Sequence, residues 1–590
     1  MSINPELRER AARRAKKFIE QETDFHLGFL PTEQSHPLTR NLSRDAQTST
    51  PDAVRSILSA DAELSSVARR AVASPEFDRL VSVVVTTMKT TGRICFSGCG
   101  STGRLAVILE AMWRKAITDP GLQDKALSIM TGGERALIRS VENFEDFTEF
   151  GARQVRDAQL GTGDVLIAIS EGGETSSVIG TATEALKRGC AVFFVFNNPA
   201  HLLRTCIRRS RELIDHPDVT TIDLFSGPMA LSGSTRMQAT TIALLVIGTA
   251  IERAHEIHFG NEPESIPGSK FINIDRYTEI VNALLQVENV RSIALLSEHE
   301  ANCYRQNGLV TYFASDYLLD IFSDTTERSP TFMLPPFRPS YDNKSPAAWS
   351  FAKDPFRSAL SAWKAMLGRE PRGLDWNAAD YSEMNAPEHM VTSPPVLDRT
   401  EIYSYLIGNE EDMERIKTSQ SLAVWTSIGG DAADLRNSAQ VSDSYRGKFG
   451  KHIYLTIGNR ADKAHGLTND NEHIYIGLQI PSSRVELFSH IAVKLIFNCF
   501  STVTMARIGR ISGNWMIQVS PTNKKLIDRA TRIISHITGM SYSEACTELF
   551  LEIEENAAKE ETAETPETES PVARVLRRHE TTYKEGCEKP

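Results

Sequence analysis

The sequence of 590 residues contains no apolar run long enough to cross a bilayer. Its longest, IALLVIGTAI at 242–251, falls well short of the ~18 residues a span requires and suits a buried helix. The first residues lack an apolar signal-peptide core, so the reading at this point is a cytoplasmic protein with no membrane partner. Cysteine is sparse: eight are scattered along the chain, and only Cys95 and Cys99 lie close together. With no second pair at ligand spacing, neither a zinc site nor a disulfide framework is expected, and the thiols are read as reduced and mostly buried. Positive charge is also short. The net charge is −11, and the one basic run, RERAARRAKK at 8–17, reads as a solvated helix end, which argues against nucleic acid. No GxxxxGK[ST] loop occurs, and no cofactor or metal is expected.

What is present is ordinary globular material, 41% hydrophobic and 24% charged, in a chain too long for one core. From about residue 50, short apolar runs alternate with helical periodicity. AVRSILSADAELSSVARRAV reads as helix, RICFSG as strand, RLAVILEAMWRKAI as helix, DVLIAIS as strand, SSVIGTATEALKRG as helix and AVFFVFN as strand. A long helix, TRMQATTIALLVIGTAIERAHE, ends the series. Strands that are apolar throughout and alternate with helices predict a parallel sheet covered on both faces. The second half repeats this with helix RYTEIVNALLQVEN, strands RSIALLS, SLAVWTSI, HIYLTIG and HIYIGLQIP, and a closing helix VELFSHIAVKLIFNCFSTVTMARIG. Between them the proline-rich PTFMLPPFRPSYDNKSPAAW predicts a long ordered insertion.

The expected fold is therefore α/β, with two doubly wound parallel-sheet domains and a small C-terminal helical cap. The segments are an N-terminal extension (1–49), a first domain carrying the site (50–270), a second, degenerate domain (271–512), the cap (513–555) and a disordered tail (556–590). The tail is assigned from its polar, charged composition.

Three loops carry the chemistry. FSGCGSTGRLAVILE at 96–110 places Gly98, Gly100 and Gly103 beside Ser97, Ser101 and Thr102, between a strand and a helix. The glycines fit GxGxxG, but the acidic residue a dinucleotide needs ~20 residues on is missing. AISEGGETSSVIG at 168–180 repeats the pattern with Ser170, Thr175, Ser176 and Ser177 around Gly172 and Gly173. LSGSTRMQATT at 231–241 does so with Ser232, Gly233, Ser234 and Thr235. One such loop is an ordinary turn. Three at strand ends describe a hydroxyl-lined pocket at helix N-termini, suited to a small phosphorylated polyol.

These motifs resemble the sugar-isomerase (SIS) proteins of the N-acetylmuramic acid 6-phosphate etherase and glucokinase regulatory protein family. The etherase pattern GAGTSGRLG, IAGGxxA, VEGAED, ASGRTP, TGSSRMKAGT stands here, in order, as GCGSTGRLA, MTGGERA, VENFEDF, EGGETS and SGSTRMQATT. TEQSHPLTRNL at 32–42 and residues 494–526 are similar too. The resemblance implies a sugar-phosphate site in the first domain formed by Gly100, Ser101, Thr102, Gly103, Glu145, Ser170, Thr175, Ser176, Ser232, Ser234 and Thr235, with Lys525 of the cap as its cation. A fructose phosphate or an amino-sugar 6-phosphate is the implied ligand.

Etherase chemistry needs a carboxylate base and an acid. Glu145 matches one family glutamate, and the other falls on Met112. Glu110, two residues earlier, is ~200° round the helix and does not substitute. Gln238 and Glu174 are further departures, from a lysine and from an arginine or serine. Loss of the acid and the two-domain length favour a regulator that controls a sugar kinase, with Glu145 as a sugar ligand. An etherase-like lyase is the alternative, and Met112→Glu is expected to restore it. A SIS-type isomerase comes third, since no histidine lies in the three loops.

Overall fold

The computed structural model describes residues 5–141, 144–260, 269–416, 419–429, 441, 445, 447–459, 472–560 and 569–579. Five parallel strands form the first sheet: β1 (Ile94–Gly98), β2 (Ala126–Met130), β3 (Val165–Ile169), β4 (Ala191–Phe196) and β5 (Val219–Asp223), in the order β2-β1-β3-β4-β5. Gly98 pairs with Met130 on one side and Ile169 on the other, so the strand order reverses at β1. The second sheet, β6 (Val310–Phe313), β7 (Ser350–Lys353), β8 (Leu422–Ile428), β9 (Lys451–Gly458) and β10 (Glu472–Gly477), runs β10-β9-β8-β6-β7. Written from its first strand this is the same 2-1-3-4-5 order, a doubly wound sheet whose ligand crevice lies at the strand C-termini near the reversal.

The helices that matter for the site are α1 (Ser101–Ala116), α2 (Ser176–Lys187), α3 (Gln238–Phe259), α4 (Val287–Arg305), α5 (Leu318–Phe332), α6 (Leu487–Arg507), α7 (Lys524–Thr538), α8 (Tyr542–Glu560) and α9 (Pro571–Arg578). The all-round apolar α3 and α6 pack together, and one continuous apolar cluster runs through them from the first sheet to the second. Among the described residues α6 is the one helix long and apolar enough to span a membrane, and 89% of that stretch is buried inside the protein. The seven described cysteines are unpaired.

The structure corrects several sequence readings. RSIALLS is not a strand but the middle of α4, where Val290, Ile293, Ala294, Leu296, Ser297, Glu300 and Ala301 are buried at three- and four-residue spacing. A seven-residue stretch with four consecutive apolar residues is ambiguous between the two, and the period decides. The first strand of the second sheet is β6, and the loop after it is ASDY at 314–317, which has no glycine. The sequence reading also omitted β2, β5 and β7, and its single helix at 53–72 is two, Thr50–Ala62 and Leu64–Val72.

The tail needs correcting too. α9 docks Val572 and Val575 against Ala530, Ile533, Ile534 and Leu549 of the cap, and Arg574 pairs with Glu552 at 3.0 Å. Composition averaged over the tail concealed one short amphipathic helix; residues 561–568 and 580–590 lie outside the described residues. At the other end, the helix Pro5–Gln21 is more than a solvated basic end. Its Ala11, Ala15 and Phe18 pack on Phe550 and Leu551 of α8, while Arg10 and Arg14 pair with Glu554.

Candidate functional site

β1 ends in the turn that begins the site. A Cβ on Gly98 would lie 2.3 Å from the Thr102 carbonyl carbon, and Gly100 has φ +54°, so both positions require glycine. The turn delivers Ser101 to the start of α1, at the mouth of a cavity of about 200 Å³. Thr102 does not reach the cavity: its hydroxyl bridges the Cys99 N–H and carbonyl, both at 3.0 Å. Gly103 abuts Met130.

The second loop behaves in the same divided way. Thr175 lines the cavity, whereas Ser170 is fully buried behind it, with its hydroxyl 3.1 Å from the Thr175 hydroxyl and accepting the Thr175 N–H. Ser176 is buried at the first turn of α2, and the Ser177 N–H donates to the Glu145 carbonyl at 3.1 Å, which ties the loop carrying Glu145 to a helix N-terminus. In the third loop Ser234 and Thr235 line the cavity, while the Ser232 hydroxyl donates to the Glu33 carbonyl. Of the residues expected to form the site, Gly100, Ser101, Glu145, Thr175, Ser234, Thr235 and Lys525 come together around the cavity. Thr102, Gly103, Ser170, Ser176 and Ser232 brace the loops behind it. Ser170 was expected in the lining beside Ser101 and Ser234; strand-end geometry turns it into the protein.

Lys525 comes down from the first turn of α7, capped by Asn523. Its ammonium lies 3.2 Å from Glu145 and 3.0 Å from Glu174. Burial works against the charge, but the two carboxylates outweigh it and hold the lysine pKa well above its ordinary value. Glu174 is opposed by burial and brought down by Lys525 and Arg209, the latter at 3.0 Å. Asp146, next to Glu145, is pushed up to about 6 by burial and by Glu145 itself.

Four charged lining residues escaped the sequence reading: Arg104, Glu171, Glu327 and Arg529. Arg529 is bound to Glu33 at 2.6 Å. Arg104 donates to the carbonyls of Ala136 and Leu137 and lies 3.7 Å from Glu327. Glu327 arrives from α5 of the second half, so no motif of the first half could announce it. Glu171 sat in plain view within SEGGE. It is 6% exposed, its Oε1 has no partner, and burial pushes its pKa up to about 8.

The two positions weighed for the family's second acid are both elsewhere. Met112 is 1% exposed in the apolar core. It lies eleven residues beyond Ser101, about 16 Å down the helix from that residue. The expectation that a glutamate at 112 would restore an acid to this cavity is therefore wrong. Glu110 is buried and ion-paired to Arg114, Arg369 and Arg372, which, against the opposing effect of burial, hold it well below the usual carboxylate range.

Residues 77–186 match the family model of the glucokinase regulatory protein N-terminal SIS domain. An N-acetylmuramic acid 6-phosphate etherase of Deinococcus radiodurans is 32% identical over 218 residues, 37% of this chain and 66% of that protein. The protein of that name from Crocosphaera subtropica is 30% identical over 276 residues, 46% of this chain and 83% of its own. The chain belongs to this family. Among solved structures, the C-terminal domain of glucosamine-fructose-6-phosphate aminotransferase from Francisella tularensis aligns at 11% identity and a TM-score of 0.43, over 77% of this chain and 95% of that one.

The family relatives overturn one expectation. They are named etherases, so the alternative held above is better supported than a regulator, and nothing supports a kinase partner.

Proposed function

We propose that the protein is a carbon–oxygen lyase of the etherase kind, acting on a phosphorylated amino sugar that carries a lactyl ether. The observation that carries this reading is that Glu145 from the first half and Glu327 from the second line one cavity, together with hydroxyls and a helix N-terminus suited to a phosphate. The loss of an acid at position 112 argued against catalysis, and Glu327 supplies a carboxyl from a different helix.

In this reading the phosphate rests at the start of α1 against Ser101, Ser234 and Thr235. Glu145, held by Lys525 and Asn523, takes the proton from the carbon next to the carbonyl. The freed electron pair forms a carbon–carbon double bond, the ether C–O bond breaks, and Glu327 returns a proton to the lactyl oxygen. Lysine then serves twice, fixing the base and lending positive charge to the cavity.

The test is lactate release from N-acetylmuramic acid 6-phosphate. The wild type should release it, and Glu145→Gln and Glu327→Gln should each slow release ~10²- to 10⁴-fold with sugar-phosphate binding retained. A wild-type protein that binds the substrate and releases no lactate would overturn the reading.

A further inference from the structure

Removal of a proton next to a carbonyl requires a carbonyl, and a cyclic sugar phosphate has none until its ring opens. Opening needs a proton for the ring oxygen. Glu145 and Glu327 are committed to the carbon proton and the lactyl oxygen, and none of the described residues lining the cavity is a histidine.

We propose that Glu171 is the ring-opening acid of this site. The inference rests on the sugar-phosphate reading above. Glu171 lines the same cavity as Glu145 and Glu327, more than nine-tenths buried, with Oε1 unpartnered. Its carboxyl takes a hydrogen bond from its own backbone N–H. The family pattern ASGRTP has alanine where EGGETS begins with Glu171, so the carboxyl is an addition to the pattern rather than an inherited ligand. The backbone around it is fixed, since the Asn197 N–H donates to the Glu171 carbonyl at 2.9 Å.

The charges facing it are Lys525 from α7, which favours ionisation, and Glu327 from α5 and Glu145 from the 144–147 loop, which oppose it. Burial and the two glutamates prevail, so the group keeps its proton near neutral pH. In the step, the Glu171 carboxyl gives its proton to the ring oxygen, the bond from the anomeric carbon to that oxygen breaks, and the anomeric hydroxyl becomes the carbonyl as its proton leaves to water. Water then reprotonates Glu171, so no oxidant or co-reactant is consumed.

Ring opening has a readout independent of ether cleavage: interconversion of the two anomers of N-acetylglucosamine 6-phosphate, followed by magnetisation exchange at the anomeric carbon. The wild type should accelerate it over buffer. Glu171→Gln, and Glu171→Ala as a second variant with the family's residue, should each lose ~10²-fold of that acceleration while still binding the sugar phosphate by calorimetry. Glu145→Gln should lose far more of lactate release than of anomer exchange. Exchange unchanged in both Glu171 variants, or no acceleration by the wild type, would overturn the proposal. A wild type that exchanges anomers and releases no lactate would instead overturn the etherase reading alone.

Discussion

The rings of Phe144 and Trp376 lie nearly parallel and offset, their centroids 6.2 Å apart and their planes 8° apart. Trp376 belongs to the long excursion between β7 and β8, and Phe144 precedes Glu145, so the second half clamps the loop that carries the proposed base. Trp376 also donates to Asp157 at 2.8 Å, and Tyr381 packs edge-on against Phe144. Seven residues before Trp376 on the same strap, Arg369 pairs with both Glu110 of α1 and Glu134.

Trp376→Ala should therefore do more than loosen the fold. A truncation of this size costs roughly 3–5 kcal/mol, and the loss should fall on the geometry of Glu145. We expect kcat for lactate release to drop at least tenfold with little change in the Kd of a sugar phosphate, and Trp376→Phe to recover most of it. Equal losses in kcat and binding would mean that the strap only stabilises.

Met112→Glu should damage the protein without improving it. The side chain is 1% exposed among apolar neighbours, so the new carboxyl would be buried without a partner, at a cost of about 3 kcal/mol or more. Thermal melting should show a drop of several degrees and lactate release should not rise. A gain in activity would show that α1 turns differently in solution.

Lys525→Met should strand two acids at once, because Glu145 and Glu174 share that ammonium. Removing one partner of a buried pair costs about 3–5 kcal/mol. Melting temperature should fall, and sugar-phosphate affinity should weaken on the order of a hundredfold by calorimetry. Unchanged affinity would remove the lysine from the ligand's surroundings.

The readability of these features in the sequence follows their physical origin. Strands buried on both faces, such as β3 and β4, are apolar throughout and announce themselves; β7 is four residues, SFAK, and carries no such signal. The run RSIALLS was misassigned because seven residues hold too few turns to show a helical period. The glycine loops were legible because only glycine tolerates the approach at Gly98 and the backbone at Gly100. Ser170 and Ser232 were wrongly placed in the lining because composition gives a hydroxyl but not its direction. Glu327 was invisible because its contribution depends on how two halves pack, and no local pattern encodes that. The family pattern located Glu145 and Lys525 but pointed to position 112 for the acid, a place that α1 carries away from the cavity.

Two buried glutamates should give stability opposite pH dependences. Burial raises the pKa of Glu33, but Arg529 and Arg532 outweigh it and bring it down to about 2. A depressed folded pKa contributes stability that is present above the unfolded value near 4.5 and lost as pH falls toward 2. Glu171 is the reverse case. Burial raises it to about 8, so the unfolded chain ionises the group first, and its contribution is complete below 4.5 and lost as pH rises through 8. That loss is on the order of 5 kcal/mol at most, from 1.36 kcal/mol per unit. Melting curves from pH 2 to 9 should show Glu33→Gln flattening the acid limb and lowering stability at neutral pH. Glu171→Gln should flatten the decline between pH 4.5 and 8 and melt higher than the wild type at pH 8. If Glu171→Gln melts lower than the wild type at pH 8, Glu171 is ionised and partnered in the folded protein, and its use as a proton donor in the cavity fails with it.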